Sequence, residues 1–102
     1  MLELRPVCEN CARPLPPAAE DAMICSFECT FCADCVRDVL LNVCPNCGGG
    51  FEPRPVRPSQ DRKGRNDTAH YPPTSARKHR PVDPGLHIAF AGPVAAIPPA
   101  RR

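Results

Sequence analysis

Cys25-Ser26-Phe27-Glu28-Cys29-Thr30-Phe31-Cys32-Ala33-Asp34-Cys35 sets two cysteine pairs back to back, with only Thr30 and Phe31 between them. Outward from this run lie two further pairs, Cys8-Glu9-Asn10-Cys11 before it and Cys44-Pro45-Asn46-Cys47 after it. The gaps between successive pairs are 13, 2 and 8 residues, and no cysteine follows Cys47. Three of the pairs are Cys-x-x-Cys, a spacing that lets a tight turn aim two sulfurs at one ion while nearby backbone N–H groups soften the thiolate charge. A lone pair of this kind would suit redox chemistry. Four pairs favour two tetrahedral zinc sites of four thiolates each.

If Phe31 lies in an extended segment, the sulfurs of Cys29 and Cys32 diverge toward different ions. The first and third pairs (Cys8, Cys11, Cys32, Cys35) then make one site, and the second and fourth (Cys25, Cys29, Cys44, Cys47) make the other. This cross-braced scheme locks one small fold through two mutually dependent sites. Sequential pairing would give two tandem fingers instead. The spacing favours cross-bracing, although connectivity is not fixed by spacing alone.

Disulfides are the competing use of eight cysteines, and the redox compartment decides between them. The opening Met1-Leu2-Glu3-Leu4-Arg5-Pro6-Val7 lacks the basic start and apolar run of a secretory signal. The most apolar run, residues 86–97, is short and interrupted by Gly92 and Pro93. It falls short of the roughly 18–20 apolar residues of a membrane span. The expectation is a cytoplasmic protein with reduced thiols, no membrane partner, and zinc as its staple. A domain of about 40–50 residues needs such a staple, because it buries too little apolar surface to offset its conformational entropy.

Local patterns fill in a small α+β unit. Ala22-Met23-Ile24 and Thr30-Phe31 read as two short strands joined by the turn Ser26-Phe27-Glu28. Val36, Val39, Leu40 and Val43 recur at helical spacing, which predicts a short helix over residues 33–42 that stops before Cys44-Pro45. Ile24, Phe27, Phe31, Val36, Leu40 and Leu15 are the expected core between the metal sites. Gly48-Gly49-Gly50 then lets the chain turn away.

Composition changes near Phe51. Residues 1–52 carry three basic and eight acidic side chains, a net of −5, whereas residues 53–102 carry ten basic and three acidic, a net of +7. Two four-thiolate zinc sites would take the first unit to about −9, a surface that repels phosphate. The second half holds ten of the fifteen prolines and clusters such as Arg62-Lys63-Gly64-Arg65 and Arg77-Lys78-His79-Arg80, with no sustained period. The expected organisation is a cysteine-rich domain over residues 1–52 and a disordered, Pro-rich basic tail over residues 53–102.

Two resemblances rest on these residues. Thr30-Phe31-Cys32-Ala33-Asp34-Cys35, Leu40 and Cys44-Pro45-Asn46-Cys47 resemble the second half of a RING finger. The eight-ligand order also fits RING spacing, with Cys29 where RING proteins usually carry histidine. More closely, the chain resembles a family of short bacterial proteins classed only as domain of unknown function 1272. The matching segments are Met1-Leu2-Glu3-Leu4-Arg5-Pro6, Ile24-Cys25-Ser26-Phe27-Glu28-Cys29-Thr30-Phe31-Cys32-Ala33-Asp34-Cys35 and Val43-Cys44-Pro45-Asn46-Cys47-Gly48-Gly49. That likeness covers about the first half of the chain and implies no activity. The RING likeness does not extend to ubiquitin ligation. The first pair encloses Glu9-Asn10 where ligases carry an apolar contact, tryptophan is absent, and Gly48 follows Cys47 where a basic residue often helps. Only Pro45 fits.

No catalytic constellation is visible. Four cysteine pairs saturate two ions and leave no open position for water, and His70, His79 and His87 lie scattered in the tail. Glu28 reads as a turn residue that orients backbone amides. The leading expectation is a non-catalytic protein-interaction module, recognising an unidentified protein partner through the groove between the cysteine turns and the exposed helix face. Glu9, Glu28, Asp34 and Asp38 suggest a basic surface on that partner. The alternatives are a nucleic-acid-associated protein that binds through its basic tail, and a thiol redox or zinc-responsive protein.

Overall fold

The computed structural model describes residues 1–102. Strand β1 (Ala22–Ile24) pairs antiparallel with β2 (Thr30–Cys32), matching Ala22 with Cys32, Met23 with Phe31 and Ile24 with Thr30. The chain reverses between them because Glu28 takes a left-handed backbone (φ 66°) and its N–H donates to the Cys25 carbonyl at 3.0 Å. Strand β3 (Glu52–Pro53) pairs with the other side of β1, giving the order β2-β1-β3. Pro53 sits on an edge strand, where its missing N–H costs no ladder bond.

Helix α1 (Ala33–Asp38) follows β2 directly. It is shorter than the helix over residues 33–42 that apolar spacing predicts. The N–H groups of Val39 and Leu40 both donate to the Cys35 carbonyl, and Leu41 and Asn42 are left-handed, with φ of 55° and 56°. The reversal brings Cys44 back beside Cys25. The apolar period continues past the helix because Leu40 and Val43 are buried by that turn, not by a further helical turn.

Leu4, Leu15, Phe31, Leu40 and Val43 are fully buried, with Val36 and Phe51 beside them. Phe31 and Phe51 meet edge to face, their ring centroids 5.5 Å apart, a favoured aromatic arrangement. Phe27 corrects the expected core. Its side chain is 71% exposed, because it stands at the tip of the β1–β2 turn. Ile24 is only half-buried.

The compositional break near Phe51 is not a structural one, since β3 completes the sheet and Arg54 is buried behind it. Beyond this point the expectation of a tail without regular structure is not met. The Arg57 guanidinium donates to the Leu2 carbonyl at 2.7 Å, Thr74 N–H to the Leu4 carbonyl and Arg80 N–H to the Glu9 carbonyl. Helix α2 (Pro84–Ala95) then packs His87 and Ala91 against the cysteine-rich unit. Asp83 caps it by accepting from Leu86 N–H at 3.0 Å, and Pro84 occupies the first turn, both common helix-start devices. Periodicity conceals this helix because it is apolar on every side, so no face stands out. No helix is long and apolar enough to cross a membrane.

Candidate metal centres

The back-to-back pairs on β2 and its flanks send their sulfurs to opposite ends of the strand. Cys8, Cys11, Cys32 and Cys35 gather with all four sulfurs within 4.8 Å of one another, and Cys25, Cys44 and Cys47 form a second such group. The groups therefore interleave, the first pair meeting the third and Cys25 of the second pair meeting the fourth. Sequential pairing does not occur. Cys29 is the one expected ligand outside the close groups. It nevertheless lies beside the second, where the Asn46 side-chain amide donates to its sulfur at 3.4 Å.

Local turns explain this convergence. In the first and last pairs, the N–H of the residue after the second cysteine donates back to the first cysteine's carbonyl, Ala12 to Cys8 at 2.9 Å and Gly48 to Cys44 at 2.8 Å. Both residues are left-handed, with φ of 62° and 79°. Glycine adopts that backbone freely and alanine does not. Ala12→Gly is expected to raise unfolding stability by about 0.5–1 kcal/mol, read as a higher urea midpoint for the metal-loaded protein. An unchanged or lower midpoint would count against the turn geometry.

The second sulfur group is also fed by backbone hydrogen bonds from the turns. Phe27 N–H reaches Cys25 Sγ, Asn46 N–H reaches Cys44 Sγ and Gly49 N–H reaches Cys47 Sγ, each at 3.4 Å. The two asparagines play matching parts. Asn10, inside the first pair, donates its amide to Cys35 Sγ at 3.3 Å, and Asn46, inside the last pair, serves Cys29. Each bond joins a pair to the partner pair of its own group. Nothing in the sequence marks those two asparagines except their shared place before the second cysteine.

The first donor set fits a tetrahedral zinc ion, and the second gathers three of the four sulfurs such a site needs. A tetrahedral ion with Zn–S bonds of about 2.3 Å spaces its sulfurs about 3.8 Å apart, and Cys11 Sγ lies 3.7 Å from Cys32 Sγ. All eight cysteines are free of disulfide bonds. Burial pushes the Cys32, Cys35 and Cys44 thiols up, so thiolates there require a cation to offset them. Cys11, on the exposed side of its group, is held down. Burial acts to raise it, but the hydrogen bond from the Arg13 backbone and those involving Cys8, Cys35 and Cys32 outweigh that effect.

The remaining candidates have structural partners. Glu9 is buried, and its carboxylate accepts from the Arg5 guanidinium at 3.0 Å and from Thr30 N–H. Glu28 accepts from Glu3 N–H at 2.9 Å. His87 Nε2 lies 2.9 Å from the Leu40 carbonyl, His79 Nε2 lies 3.1 Å from the Asn10 carbonyl, and His70 Nδ1 contacts the Asp67 carboxylate at 2.9 Å. Between the first and last cysteine turns runs a groove bordered by Glu9, Asn10, Pro45 and Asn46, and residues 79–82 lie along it.

A family model described as "Protein of unknown function (DUF1272)" matches residues 1–57. A curated relative, the "Uncharacterized protein R02474" of Rhizobium meliloti (strain 1021), is 53% identical over 81 residues, which span 79% of this chain and 89% of that protein. No solved structure matches.

Proposed function

Because the chain belongs to the DUF1272 family of proteins of unknown function, kinship supplies no activity, and we propose that it is a zinc-stapled, non-catalytic protein-interaction module with a RING-like cross-brace. The observation that carries this reading is the interleaving of the two sulfur groups. It would make the groove between the outer cysteine turns a rigid feature held from both sides by metal. With Cys29 drawn in from beside the second group, eight thiolates shared between two ions would leave no open coordination position, as in zinc sites that stabilise folds. The proposed unit runs at least to Arg57, so it includes β3 and the buried Arg54.

The recognition surface consists of the groove and the solvent face of α1. Glu9 is withdrawn from it by burial. Asp34 and Asp38 remain exposed, bridged by Arg37 at 3.2 and 2.8 Å, while Arg13 also reaches Asp34 at 3.0 Å. Such exposed pairs contribute little to stability, which leaves both carboxylates available to a basic partner. Asp34→Lys with Asp38→Lys is expected to cut co-purification of bound protein from the native host at least tenfold while zinc content stays unchanged. Undiminished co-purification would remove this face from the account.

Two other readings are less well supported. Tail-mediated nucleic-acid binding loses several of its cations to internal bonds. Arg54 and Arg57 donate to backbone carbonyls, and Arg102 does so at Asn42 and Ile97. A zinc-responsive or redox role draws on the exposure of Cys11 and Cys47, the sulfurs through which an oxidant would reach each site.

A further inference from the structure

The segment along the groove is bound as a peptide would be. Glu9 N–H donates to the Thr30 carbonyl of β2 at 3.0 Å, and the Glu9 carbonyl is left for a donor from elsewhere in the chain. Arg80 N–H takes that carbonyl at 2.7 Å, and two residues later Val82 N–H donates to Asn10 Oδ1 at 2.8 Å. The two donors lie at alternate residues with Pro81 between them, one reaching a backbone carbonyl and one a side-chain amide oxygen of the Glu9-Asn10 turn, and His79 Nε2 lies 3.1 Å from the Asn10 carbonyl. The fit is incomplete. A hollow of about 190 Å³ remains between this segment and the floor formed by Glu9, Phe31, Pro45 and Asn46. A second, of about 240 Å³, lies between Val82, Pro45 and the Leu86, His87 and Phe90 side of α2. Val82 is only half-buried, and the Arg80 and Pro81 side chains are exposed.

The groove and its occupant come from different stretches of the chain. Glu9, Asn10, Phe31, Pro45 and Asn46 all lie within the family-matched residues 1–57, whereas residues 79–82 lie outside them. Residues 1–57 supply the groove, and a later segment of the chain covers it.

We propose that the groove between the outer cysteine turns is a recognition site for an extended basic-proline-aliphatic peptide of a partner protein, and that Arg80-Pro81-Val82 is its resident, displaceable occupant. This rests on the interaction-module reading and adds the partner's chemistry and a built-in competitor. The ligand offers N–H groups at two alternate residues, a proline between them, a basic side chain that faces solvent as Arg80 does, and an aliphatic side chain. Because the hollows flank Val82, an aliphatic group larger than valine binds better than the chain's own. The partner gains what the resident segment leaves unfilled, while the resident gains from being tethered.

The test uses the full-length, zinc-loaded protein and a synthetic peptide, Arg-Lys-His-Arg-Pro-Val-Asp-Pro, together with a version carrying leucine in place of valine. In the chain alone, the Arg80 and Val82 amides should be protected from hydrogen exchange. Excess peptide should speed their exchange at least tenfold, and the leucine version should do so at lower concentration. The triple variant Arg80→Gly, Pro81→Ser, Val82→Gly should bind fluorescent peptide at least tenfold more tightly than the unaltered chain. The proposal is overturned if excess peptide leaves the protection intact, or if the variant and the unaltered chain bind peptide equally. It is equally overturned if the variant ignores the peptide and instead dimerises, since a second copy would then be the occupant. The interaction-module reading fails separately, through co-purification that is indifferent to the Asp34 and Asp38 changes.

Discussion

Cys32→Ser is expected to release both zinc ions and unfold residues 1–57, although Cys32 belongs to only one sulfur group. The reason is the path of the chain. Cys32 of the first group and Cys29, which lies beside the second, are separated only by Thr30 and Phe31, both fully buried in β2, so one short strand runs between the two groups. Serine is a poor zinc ligand, and losing the first ion frees Cys8, Cys11 and Cys35 together. A structural zinc contributes on the order of 10 kcal/mol to folding, comparable with the roughly 5–15 kcal/mol of total stability in a small domain. Once one ion is gone, too little apolar surface remains to hold β2 against the sheet, and the second group disperses. Metal analysis and circular dichroism of the variant check this together. A variant that keeps one zinc and half its structure would instead describe two independent fingers.

The second large effect is expected at Arg54. Its guanidinium is buried with no carboxylate against it and donates to three carbonyls: Arg5 at 3.0 Å, Leu15 at 3.2 Å and Pro16 at 2.9 Å. Burial lowers its pKa, with Arg57 adding to the effect and Asp21 opposing it. One side chain thereby ties the end of β3 to both the opening segment and the loop before β1. Arg54→Met keeps much of the aliphatic stem and removes every donor. The Arg5 and Leu15 carbonyls are then stranded, while the Pro16 carbonyl keeps its bond from Ala19 N–H, at a total cost of about 2–3 kcal/mol. Arg54→Lys should recover only part of this, because one ammonium cannot match the guanidinium fork. Urea midpoints of the zinc-loaded variants measure both, with zinc content unchanged. A loss below about 1 kcal/mol for the methionine variant would show that the carbonyls find water instead.

How legible these features were depended on how local their causes are. The cysteine spacing and the strands on either side of Ser26-Phe27-Glu28 depend on neighbours in sequence, and the structure has them there. Phe27 misled because hydrophobicity does not reveal which residue of a turn caps the tip. Arg54 was hidden for a different reason. Arg-Pro-Val occurs three times, at residues 5–7, 54–56 and 80–82, with three outcomes. Arg5 ends in a buried ion pair with Glu9, Arg54 in a buried set of carbonyl bonds, and the Arg80 side chain in solvent. The tripeptide does not encode those fates; the partners supplied by the fold do. Much of the tail follows the same logic, since Arg54, Arg57, Arg102 and the apolar helix α2 are placed by tertiary bonds that leave no period to read.

The cross-braced two-metal arrangement is tested most directly by native mass spectrometry of the protein made in its own host, with free thiols counted after mild denaturation. The account predicts two zinc ions on one chain and eight free thiols, while a mass shift to iron would keep the sulfur geometry and change the ion. One zinc or none, with thiols missing as disulfides, would contradict it.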